Sequence, residues 1–195
     1  VLERGRNPYV GQAGDAWRVF RGDKGVLITF RLVAPSAAAT SRASVPLVVV
    51  LHGAGGDENM FIDASGQGIV ASMGMAANAI IVSPAVGAFG TTPAHFDSLL
   101  SVMRSEYRVN NARIYVLGHS MGAGVAAQLA QTRPEQIAAA ACLAGGTAIT
   151  AAKAPPVLFI GAALDPVMPA ATVKGAASKS PTGTYRELAP GSYTQ

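Results

Sequence analysis

At 195 residues the chain can bury a sizeable core in one domain and is short for two. Half of its residues are hydrophobic and 13% are charged, a balance that excludes intrinsic disorder. The net charge of +4 is spread over eleven arginines and four lysines with no basic run, which excludes a focused nucleic-acid groove and leaves the excess on solvated surface.

In chain order, Trp17–Phe20 and Val26–Val33 predict an antiparallel pair joined by the turn residues Gly22-Asp23-Lys24-Gly25. Pro35–Ser44, rich in alanine and serine, is expected to be a loop. Val45–Leu51 is a continuous apolar run ending at His52-Gly53, as expected of a strand covered on both faces. Further strands are predicted at Ala79–Ser83, Arg113–Leu117, Ala138–Leu143, Val157–Ile160 and Thr184–Leu188. Helices are predicted at Gly66–Ala77, Ala94–Tyr107, Met121–Gln131 and Ala170–Ser178. This alternation predicts a mostly parallel sheet flanked by helices and joined by right-handed crossovers. No repeat or linker divides residues 1–195, so a single domain is expected, and the connections are too short to hold a separate cap.

Residues Gly66 to Phe96 carry no Asp, Glu, Lys or Arg, but glycines and prolines interrupt them throughout, so no membrane span is expected. The lone Cys142 forbids an intramolecular disulfide and, within an apolar run, is expected as a small buried residue. Histidine and cysteine spacings fit no metal-ligand pattern, and Gly53-Ala54-Gly55-Gly56 completes neither a dinucleotide fingerprint nor a P-loop. No metal and no cofactor are therefore expected. The chain begins at Val1, so any signal peptide would already be gone.

The chemistry-bearing motif is Gly118-His119-Ser120-Met121-Gly122, a G-x-S-x-G between a predicted strand and a predicted helix. Such a serine sits on a sharp turn where bulky residues two positions away would collide with strand or helix. Its hydroxyl is exposed at the sheet edge, and the following helix directs its N-terminus at developing negative charge. The alternative is an ordinary strand-to-helix turn with a serine cap. A second glycine-rich segment, Leu51-His52-Gly53-Ala54-Gly55-Gly56-Asp57, follows a strand and could point a backbone N–H at a ligand. A third, Gly161-Ala162-Ala163-Leu164-Asp165-Pro166-Val167-Met168-Pro169, places an aspartate after a strand and after the serine in chain order.

With these three segments in this order, the sequence resembles the α/β-hydrolases, nearest to the esterase, feruloyl-esterase and polyhydroxyalkanoate-depolymerase branches. The likeness runs over nearly the whole chain. It implies an α/β-hydrolase fold and a serine carboxylic ester hydrolase. It further implies Ser120 as nucleophile, the amides of Ala54 and Met121 as oxyanion hole, and Asp165 as the acid that orients a histidine. His52 and His119 would have supporting packing or hydrogen-bond roles. Met60, Phe61 and Met168, with Met121 and Val167, stand beside the motifs as candidate apolar substrate contacts. A small-molecule or polymeric ester is the implied partner, and a secreted or periplasmic setting is favoured over the cytoplasm.

The resemblance also calls for a histidine shortly after the last strand, yet Tyr185–Gln195 holds none. The C-terminal end is expected to be incomplete relative to the family, with the histidine either beyond Gln195 or replaced at Tyr193 or Gln195. His95 is expected as a surface or helix-start residue. The rival expectations are a hydrolase-fold binding protein without its base, and an acyl transferase or peptidase using the same apparatus.

Overall fold

The structure, a computed structural model, describes residues 7–40, 43–63 and 69–190. The expected hairpin is present and longer than predicted: β1 (Gly14–Arg21) pairs antiparallel with β2 (Leu27–Ala34). The first residues of β1 were not legible because Asp15 and its neighbours are exposed and polar or small. The hairpin turn is one turn of 3-10 helix, Asp23–Gly25, with Lys24 in the left-handed region at φ 51°.

The segment expected to be a loop contains a short helix, α1 (Ser36–Thr40). The correction has a local cause. Alanine is the best helix former, and Pro35 supplies a carbonyl that accepts the N–H groups of Ala38 and Ala39. Then follow β3 (Val45–Leu51), α2 (Ile69–Ala76), β4 (Ile80–Pro84), a short unpredicted α3 (Val86–Phe89) and α4 (Ala94–Glu106). The remaining elements are β5 (Val109–His119), α5 (Met121–Thr132), β6 (Ala139–Leu143), β7 (Val157–Ala162), α6 (Ala170–Ser178) and β8 (Gly183–Leu188). The first residues of the helix predicted at Gly66–Ala77 lie outside the described residues.

Among the described residues the eight strands form one sheet in the order β1-β2-β4-β3-β5-β6-β7-β8. β1, β2 and β4 pair antiparallel, and every pairing from β4 onward is parallel. The β3–β5 register shifts between Val45 and Leu47, where Pro46 has no N–H for the ladder.

One face of the sheet carries the main core, in which Phe96, Leu99 and Leu100 of α4, Ala126 and Ala127 of α5 and Val173 of α6 meet Leu47, Val49, Val116 and Phe159. A smaller cluster of Val33, Val50, Ile62 and Ile81 lies with Phe61, Val70 and Leu117 packed against it. Beside it an apolar cavity of about 240 Å³ is lined by Val48, Val70, Ile81 and Leu117. Two-sided burial explains why the central strands read as unbroken apolar runs.

At the opposite edge from β8, Arg18 of β1 forms a buried ion pair with Glu106 at 2.6 Å and donates to Tyr107 Oη and Gln12 Oε1. No helix among the described residues is long and apolar enough to cross a membrane.

Candidate active site

The parallel strands deliver three turns to the same end of the sheet. The tightest follows β5. Ser120 has φ 52° and ψ −114°, a left-handed-side conformation costing a non-glycine residue about 1–3 kcal/mol. Its neighbours make that conformation obligatory. A Cβ on Gly118 would lie 2.1 Å from the Gly122 carbonyl oxygen, and one on Gly122 would lie 2.1 Å from the Leu51 carbonyl oxygen. The turn is further pinned by the Ser120 N–H, which donates to the Leu143 carbonyl at 2.8 Å. Ser120 is half-buried and stands at the N-cap of α5, and Met121 occupies the first helical position, where an N–H has no intrahelical acceptor.

The second turn follows β3. Gly53–Gly56 closes with the Gly56 N–H donating to the Gly53 carbonyl, and Gly55 takes φ 78°. Ala54 is exposed within this turn. A Cβ on Gly53 would meet Ser120 Cβ at 3.2 Å, so the turn lies directly against the serine. His52 secures it: Nδ1–H donates to the Gly53 carbonyl at 2.9 Å, while Nε2 accepts the Val86 N–H at 3.0 Å. The chain after the turn is tied down by Arg31, which donates to Asn59 Oδ1 at 2.5 Å and pairs with Asp63 at 2.7 Å and Asp15 at 2.6 Å.

The third turn follows β7. Asp165 is buried, and its Oδ1 accepts the N–H groups of Val167 and Met168, both at 2.9 Å. Its Oδ2 is buried and has no hydrogen-bond partner among the described residues. A buried carboxylate oxygen left open costs on the order of 1–3 kcal/mol, more for a charged group, so it marks a place where a donor is wanted. Asp165 is close enough to His119 to act on it electrostatically. Burial lowers the imidazole pKa, and the Asp165 charge opposes that by a smaller amount.

The sequence-predicted apolar contacts divide. Met60 has its sulfur 3.2 Å from where a Gly56 Cβ would stand, beside the second turn. Phe61 packs against the smaller core cluster and Met168 against the main one. Met121 and Val167 are exposed on the turns after β5 and β7, as is Leu164, which was not among the candidates.

Of the two expectations for His95, the helix start holds, since it is the second residue of α4, and the surface does not. It is buried rather than on the surface: Nδ1 accepts the Asp23 N–H and Nε2 bonds Thr91 Oγ1, docking the hairpin turn on the start of α4. A Cβ on Gly22 would stand 2.5 Å from its Nδ1, which explains that glycine. Both ring nitrogens of His52 and of His95 are thus engaged in structure. Cys142 is buried as expected, with desolvation pushing its thiol pKa up to about 12. Among the described residues no group of three or more His, Cys, Asp or Glu could hold a metal ion. Tyr193 and Gln195, considered as replacements for the missing histidine, lie outside the described residues.

Strand order and the three converging turns define an α/β-hydrolase. The family model for serine aminopeptidase S33 matches residues 54–189, and the chain belongs to that family. Among solved structures, a thermostable esterase is 26% identical with a TM-score of 0.69, matching 91% of this chain and 55% of its own. The chain therefore spans about half the length of that esterase. An S-formylglutathione hydrolase from Agrobacterium tumefaciens has a TM-score of 0.71 at 15% identity, over 90% of this chain and 87% of its own. One from Staphylococcus aureus has a TM-score of 0.67 at 14% identity, over 95% and 91%. These two likenesses are of fold. No curated protein sequence matches the chain.

Proposed function

We propose that this chain is a serine-dependent carboxylic ester hydrolase working as one α/β unit without a separate cap. Ser120 Oγ attacks the ester carbonyl carbon and gives its proton to an imidazole base. The amides of Ala54 and Met121 hold the resulting oxyanion, aided by the N-terminus of α5. Collapse expels the alcohol, which takes the proton back from the base, and water then cleaves the acyl-enzyme by the same steps. Asp165 receives the imidazole N–H on Oδ2 and fixes the ring. Met60, Phe61 and Met168, with the exposed Met121 and Val167, contact the apolar part of a small-molecule or polymeric ester.

The observation that carries this reading is the open, buried Oδ2 of Asp165 on the same end of the sheet as a serine held at φ 52°. No histidine follows Asp165 in the 195 residues, so the base is the component the test must supply. Added imidazole should accelerate hydrolysis of p-nitrophenyl esters by the wild type above the buffer reaction, and Tyr193→His should raise the rate without it. Ser120→Ala should abolish both gains, since neither the added imidazole nor the new histidine would then have a hydroxyl to activate. Equal rates for wild type and Ser120→Ala would remove the serine from the mechanism. The family match favours one second reading, cleavage of amino-acyl amides by the same apparatus. Aminoacyl p-nitroanilides cleaved faster than the esters would establish it.

A further inference from the structure

Gly53 touches two different side chains of the nucleophile segment. A Cβ built on it would stand 2.8 Å from His119 Nδ1, 3.3 Å from His119 Cε1 and 3.2 Å from Ser120 Cβ. Its own carbonyl, on the other side, takes both the His52 Nδ1–H and the Gly56 N–H. Gly53 is therefore held between a hydrogen bond from its own strand end and the ring that precedes the serine. The next residue along is Ala54.

We propose that His119 is a positioning residue for the second turn: its imidazole is the stop against which Gly53 rests, and so sets the distance between the Ala54 amide and Ser120. This rests on the reading of Ala54 and Ser120 given above. The absence of a side chain at Gly53 is what lets the ring and the turn close to contact. His119 acts through the turn and does not touch the reacting atoms. Its sequence position, one before the serine, makes the spacing between the two turns depend on the residue chosen there.

The pairing predicts a specific non-additivity. Gly53→Ala must displace either the imidazole or the turn, and a misplacement near 1 Å costs about 100-fold in catalysis. In a His119→Ala background the ring is gone, and only the contact with Ser120 Cβ at 3.2 Å remains to be relieved. The penalty of Gly53→Ala should then shrink at least about tenfold, within the coupling found for side chains in contact.

The probe is phenylboronic acid, whose affinity reads the oxyanion site without needing turnover. An Oγ–B bond forms, the hydroxyl proton passes to solvent, and boron becomes a tetrahedral anion with an oxygen facing the two amides. Four versions of this chain are compared: wild type, Gly53→Ala, His119→Ala and the double variant, each by boronate dissociation constant and by melting temperature. Gly53→Ala should weaken boronate and lower the melting temperature, and both losses should be largely relieved in the double variant.

Additive effects in both measurements would overturn the proposal. So would His119→Ala losing boronate as completely as Ser120→Ala, which would give the ring a direct role. Should Gly53→Ala fail to fold, His119→Phe tests the contact from the other side: its larger ring should weaken boronate about tenfold or more, and unchanged affinity would overturn the stop. A wild type that binds boronate no better than Ser120→Ala would instead defeat the functional reading, while the melting-temperature cycle would still decide the contact.

Discussion

The turns after β5 and β7 both present a candidate catalytic side chain, but they are held by opposite means. Around Ser120 the constraint is backbone against backbone, with two glycines whose Cβ atoms would lie 2.1 Å from carbonyl oxygens. Around Asp165 the constraint is a side chain accepting two backbone N–H groups, flanked by exposed Leu164 and Val167. The first arrangement tolerates no added atom. The second leaves room at its exposed flanks, Leu164 and Val167. Steric exclusion fixes where the hydroxyl points, whereas hydrogen bonding fixes a loop and leaves one oxygen without a partner among the described residues.

That contrast can be broken most sharply at Gly122. Gly122→Ala forces Leu51 away from α5 and should cost about 3 kcal/mol, the upper end of the usual overpacking penalty. For a chain of this size that is a fall of about 6–12 °C in melting temperature by calorimetry. A fall under a couple of degrees would mean that the turn is looser than its glycines imply.

Smaller effects are expected at the third turn. Asp165→Ala removes the acceptor for Val167 and Met168 and should cost about 1–2 kcal/mol, as loss of a capping side chain does. Asp165→Asn keeps an oxygen there and should cost less than half of that in chemical denaturation. The double variant Leu164→Ser with Val167→Ser should stay within about 0.5 kcal/mol per site of the wild type, because both side chains are exposed. A larger loss would show that the flanks carry structure.

A pH titration gives the smallest effect and a control remote from both turns. Arg133 donates to Asp97 in three hydrogen bonds and, as the main cause, lowers its pKa, with Gln136 helping. Because the folded carboxyl has the lower pKa, the pair stabilises above the ordinary value of 3.8 and loses that contribution as pH falls through the depressed one. The pair is partly exposed, so Arg133→Ala should cost about 0.2–1 kcal/mol at neutral pH and almost nothing at the acid end. The difference is measured by urea denaturation at both pH values.

Much of the sheet was legible because parallel strands are apolar on both faces: Val45–Leu51, Val157–Ile160 and Ala138–Leu143 needed no other information. The segments that misled were those in which local composition and tertiary packing disagree. Alanines after Pro35 suggested a loop and made a helix, and although His95 does stand at a helix start, its polar neighbours hid its burial. The three motif segments stood out in the sequence, but the contact between Gly53 and His119 did not. It joins residues 66 positions apart, and each has an adequate local explanation as a turn glycine or a strand end. The glycine pair at 118 and 122 was readable for the opposite reason, since the residues they accommodate lie within their own motif or the strand beside it.

The ion pair between Arg18 and Glu106 bears on how this protein can be handled. Strand β1 sits at the sheet margin and carries no candidate catalytic side chain, so it looks dispensable, although its Asp15 also holds the Arg31 that ties down the chain after the second turn. Replacing Arg18 alone, with the strand still covering it, would leave the Glu106 carboxylate buried without its cation, and an uncompensated buried charge costs about 3–5 kcal/mol. Trimming or fusing at the amino end should therefore stop short of Asn7, whose amide also donates to Glu106, and so spare Gln12, whose side chain serves Arg18. The least functional-looking margin of the sheet is the one a protein engineer should leave alone.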